Sequence, residues 1–302
     1  MNHIQLFVFI IYCCAVLIAG ISVYTFTNKT RESFLNRSVY LGEVFLLGSI
    51  LIIGELFFLS LVGLYKAPYL WGCVGFNYLF LLRRDTRKSI TVDIFGKRIF
   101  SLPILILSIL LGIFIFRNYY FLVTGDSHNI YLFVQKLWLM NGTSLVGDEG
   151  FNIGIFAPQF NAVPYGLGVA LFGQEVLFPQ LINVSWRVVV VLLVFGYTSY
   201  RFNGYYGLVA SILVLFDEHF FYSGISSCVI INGAVIAFLF SSVYNFWESR
   251  KQNSPFRFLL ALIFLSQLMA NKYQMAYVMI FMAIIGLLIQ PTIVQKLRIL
   301  VR

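Results

Sequence analysis

The chain has 302 residues, of which 60% are hydrophobic, 18% aromatic and only 11% charged. That balance excludes a soluble globule and specifies an integral membrane protein. The excess of 21 Lys and Arg over 12 Asp and Glu gives a net charge of +9. The cations sit in short segments between apolar runs, where they set topology and do not point to nucleic acid. The four cysteines, Cys13, Cys14, Cys73 and Cys228, show no C-x-x-C spacing, so neither a metal site nor a disulfide framework is expected.

A transmembrane helix needs about 20 apolar residues, with about 17 as a working minimum. The runs that reach or approach this are 4–27, 39–63, 67–82, 100–117, 180–199, 205–221, 229–247, 257–270 and 273–290. The first carries no Lys or Arg ahead of it and is long, so it reads as a retained span and not a cleaved signal peptide. Nine spans place segments 28–38 and 83–98, Arg201, Arg250 with Lys251 and Arg257, and the tail 291–302 on one side. By the positive-inside rule that side is the cytoplasm. The opposite side then holds 118–179, 222–228 and the turn at Asn271-Lys272. Residues 163–173 are apolar but too short to cross, and Pro164 suits a first helical position. They read as a helix lying at the outer surface. The sequence shows no internal repeat. Its Phe, Tyr and Trp content reads as an interfacial aromatic belt.

The longest stretch that is not plainly membrane-spanning is 124–162. Asp126 is placed to cap a helix, and Ile130, Phe133, Val134, Leu137 and Trp138 follow on one face. Asn141-Gly142 stops it. This is an amphipathic helix that holds a carboxylate at the water–lipid boundary. His128 lies two residues on and points away from Asp126, as polar surface.

Several other polar residues stand out. Asp148-Glu149, in a Gly-flanked turn, read as a solvated loop or as an acceptor or metal contact. Asp217-Glu218-His219 read as an interfacial helix end, since adjacent helical residues cannot converge on one divalent ion. Lys272 and Arg187 are cations near the outer boundary. Their alternatives are snorkelling of long stems and recognition of a lipid phosphate, and Asn271 and Tyr273 beside Lys272 would add polar contacts. Glu43 and Glu55, inside the second span, lie about 18 Å apart along a helix and roughly 120° apart around it, so they cannot form one carboxylate pair. They read as interhelical hydrogen-bonding groups with the N-terminal helices.

The run GDSHNIYLFVQKLWLMNG resembles the first outer loop of the GT-C superfamily of polyprenyl-phosphate-sugar glycosyltransferases. That superfamily includes protein mannosyltransferases, the lipid A aminoarabinose transferase and rhizobial lipopolysaccharide sugar transferases. Trp138-Leu139-Met140-Asn141-Gly142 is similar to the family's W-L-x-x-G helix end. Ala157-Pro158-Gln159 stands where the family has K-P-P, and Leu171-Phe172-Gly173 matches its L-F-G. Arg187 suits the arginine at the top of the next span, and Arg201-Phe202-Asn203-Gly204 resembles R-x-F-G. SQLMANKYQMAYV resembles the T-K-Y hairpin. Asn232 stands where family members often carry a second acid. The resemblance covers about residues 100–290.

That resemblance implies an all-α membrane protein with a polytopic bundle of about nine transmembrane helices and juxtamembrane helices in the first large outer loop. It divides the chain into a three-helix N-terminal extension, 1–99, a GT-C-like module, 100–290, with outer loop 118–179, and a basic tail, 291–302. It implies a glycosyltransferase of the inverting type in a bacterial cytoplasmic membrane, with its site on the non-cytoplasmic face. The donor is a polyprenyl-phosphate-linked sugar and the acceptor a hydroxyl of a glycan, lipid or protein. Asp126 is the expected catalytic base. Lys272, Arg187, Asp148, Glu149, Gln159, Asn232 and Tyr273 are the expected substrate-binding residues. No metal ligands are assigned, and the resemblance leaves room for a divalent cation as cofactor. The alternative is a non-catalytic binding or transport protein for lipid-linked saccharides, with Glu43 and Glu55 lining its path.

Overall fold

The computed structural model describes residues 2–28, 36–91, 101–119, 132–145, 160–173, 177–217 and 232–271. The described residues form helices and turns, with no strand among them. Among the described residues, three helices are long and apolar enough to cross a membrane. They are α1 (Asn2–Thr27, apolar from His3), α2 (Arg37–Leu61) and α8 (Leu177–Arg201).

The remaining helices, in chain order, are shorter or more polar. They are α3 (Ala67–Phe76), α4 (Arg84–Ser89), α5 (Leu102–Tyr119), α6 (Phe133–Asn141), α7 (Tyr165–Phe172), α9 (Gly204–Phe216), α10 (Asn232–Gln252) and α11 (Pro255–Asn271). A 3₁₀ segment, Asn77–Leu82, extends α3, and a single 3₁₀ turn, Phe160–Ala162, precedes α7.

Local chemistry explains several boundaries. Asn36 caps α2 by accepting from Val39 N at 2.9 Å. Asn203 caps α9 by accepting from the amides of Tyr205 and Tyr206. Both satisfy N–H groups that a helix start leaves without partners. The α6 helix stops at Gly142, whose φ of 74° is the left-handed value that glycine adopts at no steric cost.

The helices align so that their termini gather at two ends. At one end Asn36 donates to the Gly196 carbonyl, Tyr40 and Ser89 share a 2.8 Å hydrogen bond, and Arg201 pairs with Glu248. This end carries Arg83, Arg84, Arg87, Lys88, Arg250 and Lys251 as well, and is called the basic end below. At the other end Phe178 N donates to Gln5 Oε1 at 3.0 Å, and α6, α7 and the turn at 160–162 lie across the helix termini. This is the capped end.

One continuous apolar core runs from Tyr12 on α1 to Leu268 on α11 and takes in α2, α3, α6, α7, α8 and α10. A smaller cluster joins α5 and α9 to the outer face of α8 through Leu107, Leu111, Val191 and Leu208. The N-terminal helices therefore share their interior with the rest of the chain. Where α1 meets α2, the contact is backbone on backbone. A Cβ on Gly20 would lie 1.8 Å from Val44 O, and one on Gly48 would lie 1.8 Å from Val16 O. Small residues at such a crossing let two helices approach closely, which is the main source of association where lipid removes the hydrophobic drive.

The segment 163–173 differs from its surface reading. Tyr165, Gly166, Leu167, Gly168 and Val169 are buried, so α7 is packed into the capped end and does not lie on it. Its buried residues pack against α3, α6 and α8, while Leu171 near its end is 48% exposed.

Candidate functional site

The capped end is built from two turns held together by backbone. Tyr65 N donates to the Gly142 carbonyl at 2.8 Å and Ser144 N to the Ser60 carbonyl at 3.1 Å. Thr143 Oγ1 also donates to Ser60 O, and the Ser60 and Ser144 hydroxyls meet at 2.8 Å. The turn leaving α2 is thereby stitched to the turn leaving α6.

Beneath this seam Tyr65 is fully buried. Its hydroxyl lies 2.5 Å from Gln135 Oε1 and 2.9 Å from the Val163 carbonyl, sharing one hydrogen between them. Burial pushes the Tyr65 phenol well above its ordinary value, because a phenolate there would lose its hydration. The Trp138 ring packs edge-on to Tyr65, with centroids 5.6 Å apart. Trp71 Nε1 donates to the Leu167 carbonyl at 3.2 Å and fixes α7 to α3. The buried face of α6 is Val134, Gln135 and Trp138. The apolar spacing in sequence finds Val134 and Trp138 but misses Gln135, a polar residue whose burial is explained by Tyr65.

A cleft of about 430 Å³ opens between α3, α6 and α7. Its walls are Ala67, Leu139, Met140, Val169, Ala170 and Gly173, with Lys66 and Lys136 on them. The stem of Lys66 runs over the end of α6. Its Cε lies 3.4 Å from where a Cβ on Gly142 would stand. A second hollow of about 280 Å³ lies between α1, α2, α5 and α8, walled by Phe9, Leu41, Ile115 and Val188 among others. Its described lining is apolar apart from Cys13 and Ser185.

Of the residues singled out in sequence, Asp126, His128, Asp148, Glu149, Gln159, Glu218, His219, Lys272 and Tyr273 lie outside the described residues. Asn232 opens α10. Arg187 is described and is not at the top of its span. It lies ten residues beyond Leu177, about 15 Å along the axis, and is 4% exposed. Its Cγ and the Trp186 Cβ flank Gly233, so its stem packs on the first turn of α10. Asp217 ends α9 in an exposed position. Among the described residues no group of three or more metal-ligating side chains comes together.

The two intramembrane acids are both engaged. Glu55 accepts from Asn77 Nδ2 at 2.7 Å and Cys73 Sγ at 3.1 Å, both on the α3 segment of the N-terminal extension. Glu43 turns the other way. It pairs with Arg257 on α11 and accepts from Asn245 on α10 at 2.8 Å and Tyr197 on α8 at 3.1 Å. Its partners lie outside the N-terminal helices, unlike the sequence expectation.

No family model matches the chain, and neither the curated proteins nor the solved structures give a match to it.

Proposed function

We propose that this chain is a membrane glycosyltransferase that moves a sugar from a polyprenyl-phosphate donor to a hydroxyl acceptor on the non-cytoplasmic face of a bacterial cytoplasmic membrane. Nine spans put the capped end on that face by the distribution of Lys and Arg. The acceptor is a glycan, a lipid or a protein.

One observation carries the reading. The segment that holds Asp126 leads into α6, and Lys272 directly follows α11. Both α6 and the last residues of α11 belong to the capped end, where the turn at 160–162 packs against α2 and α11. The described elements that follow Asp126 and precede Lys272 in sequence, α6 and α11, thus meet at one end, and this supports bringing that acid and that cation to one site. In the reaction the acceptor oxygen bonds to the anomeric carbon while the bond from that carbon to the phosphate oxygen breaks. The electron pair leaves with the phosphate. The acceptor proton passes to Asp126. Lys272, with Arg187, stabilises the charge that develops on the leaving phosphate. Asp148, Glu149, Gln159, Asn232 and Tyr273 orient the two substrates.

The transport alternative requires Glu43 and Glu55 to face a path between the two sides. Glu43 is fully buried in an ion pair and Glu55 is held by Asn77 and Cys73, which weighs against such a path. The test is incubation of the purified protein with a panel of polyprenyl-phosphate sugars, measuring released lipid phosphate. Asp126→Asn is expected to lower release by two to four orders of magnitude while the protein stays inserted and folded. Full release by a folded Asp126→Asn protein rejects the base role.

A further inference from the structure

The cleft between α3, α6 and α7 is not explained by the transferase chemistry. Lys66 stands in the turn after α2, ahead of the module that resembles the transferase family, and Lys136 stands on α6. We infer that this cleft is a binding site for the phosphate of an acidic glycerophospholipid, seated by Lys66 and Lys136 with its acyl chains against the apolar wall.

Three features point to this ligand class. The first is charge. Among the described residues on the wall, both charged side chains are lysines and none is an acid. Two ammonium groups on one small concavity repel each other unless an anion sits between them. The Lys66 stem reaches over the end of α6, its Cε 3.4 Å from where a Cβ on Gly142 would stand, and Lys66 lines the cleft.

The second is the helix start. Ala67, the first residue of α3, is part of the wall, and no side chain caps the first turn of α3. Pro68 has no N–H and the Tyr69 and Leu70 amides donate to the Lys66 carbonyl, so it is the Ala67 amide and the positive end of the helix dipole that add to the two lysines.

The third is shape and polarity. Leu139, Met140, Val169 and Ala170 make the rest of the wall, and Met140 is 84% exposed. An apolar wall beneath a cationic rim suits a molecule with a phosphate at one end and hydrocarbon at the other. A volume of about 430 Å³ lies in the range of small-molecule sites. A free phosphate shares the anionic chemistry but leaves that wall uncovered.

The site does not depend on the transferase reading, since its readout is lipid retention and not sugar transfer. The full chain, purified in a mild non-ionic detergent, is titrated with phosphatidylglycerol and, separately, with phosphatidylcholine. Bound lipid is counted by native mass spectrometry. Wild type is expected to hold phosphatidylglycerol roughly ten-fold more tightly than phosphatidylcholine. The double variant Lys66→Gln/Lys136→Gln loses that preference, and Lys66→Arg/Lys136→Arg keeps it. The control Lys88→Gln/Lys251→Gln removes the same charge from exposed positions at the basic end and keeps it too. Equal retention by the Lys66/Lys136 glutamine variant overturns the proposal, as does equal loss by the control. Full displacement of phosphatidylglycerol by millimolar inorganic phosphate overturns the lipid assignment and leaves a free-anion site.

Discussion

Arg257 places one guanidinium nitrogen, Nη1, 2.8 Å from each carboxylate oxygen of Glu43, a residue 214 positions earlier in the chain. The same nitrogen donates to Asn245 Oδ1 at 3.0 Å, and both charged side chains are at most 1% exposed. A charge in this setting is tolerated because its opposite and further dipoles are already in place. The network joins α2, α8, α10 and α11 at a single point.

Removing one partner leaves the other as an uncompensated buried charge. Glu43→Gln or Arg257→Met alone is therefore expected to lower stability by about 3–5 kcal/mol. The double variant Glu43→Gln/Arg257→Met is expected to lose less than the sum, with a coupling of about 2 kcal/mol or more. Thermal unfolding in detergent of all four proteins measures this. Additive losses would show that the pair is not energetically coupled.

The α1–α2 crossing is expected to tolerate no side chain. The atoms that a Cβ would meet are the Val44 and Val16 carbonyl oxygens, which belong to helix backbone and cannot rotate away. Gly20→Ala or Gly48→Ala is expected to cost about 1–3 kcal/mol, and Leu at either site more. The monodisperse fraction on size-exclusion chromatography should fall in the order Gly, Ala, Leu. A wild-type profile for Gly48→Leu would mean that the helices do not touch there.

Tyr65→Phe removes the hydroxyl that joins Gln135 to the Val163 carbonyl; Gln135 Oε1 loses that donor, while the Val163 carbonyl keeps the Gly166 amide at 3.1 Å. The expected cost is about 1–3 kcal/mol. It should appear as faster hydrogen exchange in α6 and α7, with exchange in α10 and α11 unchanged.

The same residue fixes a pH expectation. Burial raises the folded-state value of Tyr65, so its contribution is complete below the ordinary tyrosine value of about 10 and is lost only as pH climbs through the folded value. Protection of α6 against exchange, corrected for the intrinsic rate, should therefore be constant between about pH 6 and pH 9 on account of this group. A loss of protection in that window would assign the docking of α6 to another residue.

Hydrophobic run length located part of the helical pattern: of the nine runs expected to span, 4–27, 39–63 and 180–199 correspond to the three helices that, among the described residues, are long and apolar enough to cross a membrane. The runs 4–27, 39–63 and 67–82 overlie α1, α2 and the α3 segment with its 3₁₀ extension, and Asn141-Gly142 marks the end of α6. These features are local, and local composition determines them. Burial at Gln135, the orientation of Glu43 and the depth of Arg187 depend on groups 70 to 214 residues away in the cases of Tyr65–Gln135 and Glu43–Arg257, and no period in the sequence carries that information. The Lys66/Lys136 cleft belongs to the same class. Each lysine alone is an ordinary cation near a helix end, and only the seam between the two turns brings them to one wall.

That seam also determines what a shortened protein would lack. A chain starting at Leu102 would keep every motif that resembles the transferase family. It would surrender the ledge on which α6 rests, and Arg257 would face an empty place where the Glu43 carboxylate stood. The first hundred residues are thus the mould against which the remainder sets, and dissecting the two by truncation would measure the collapse of a fold and not the activity of a half.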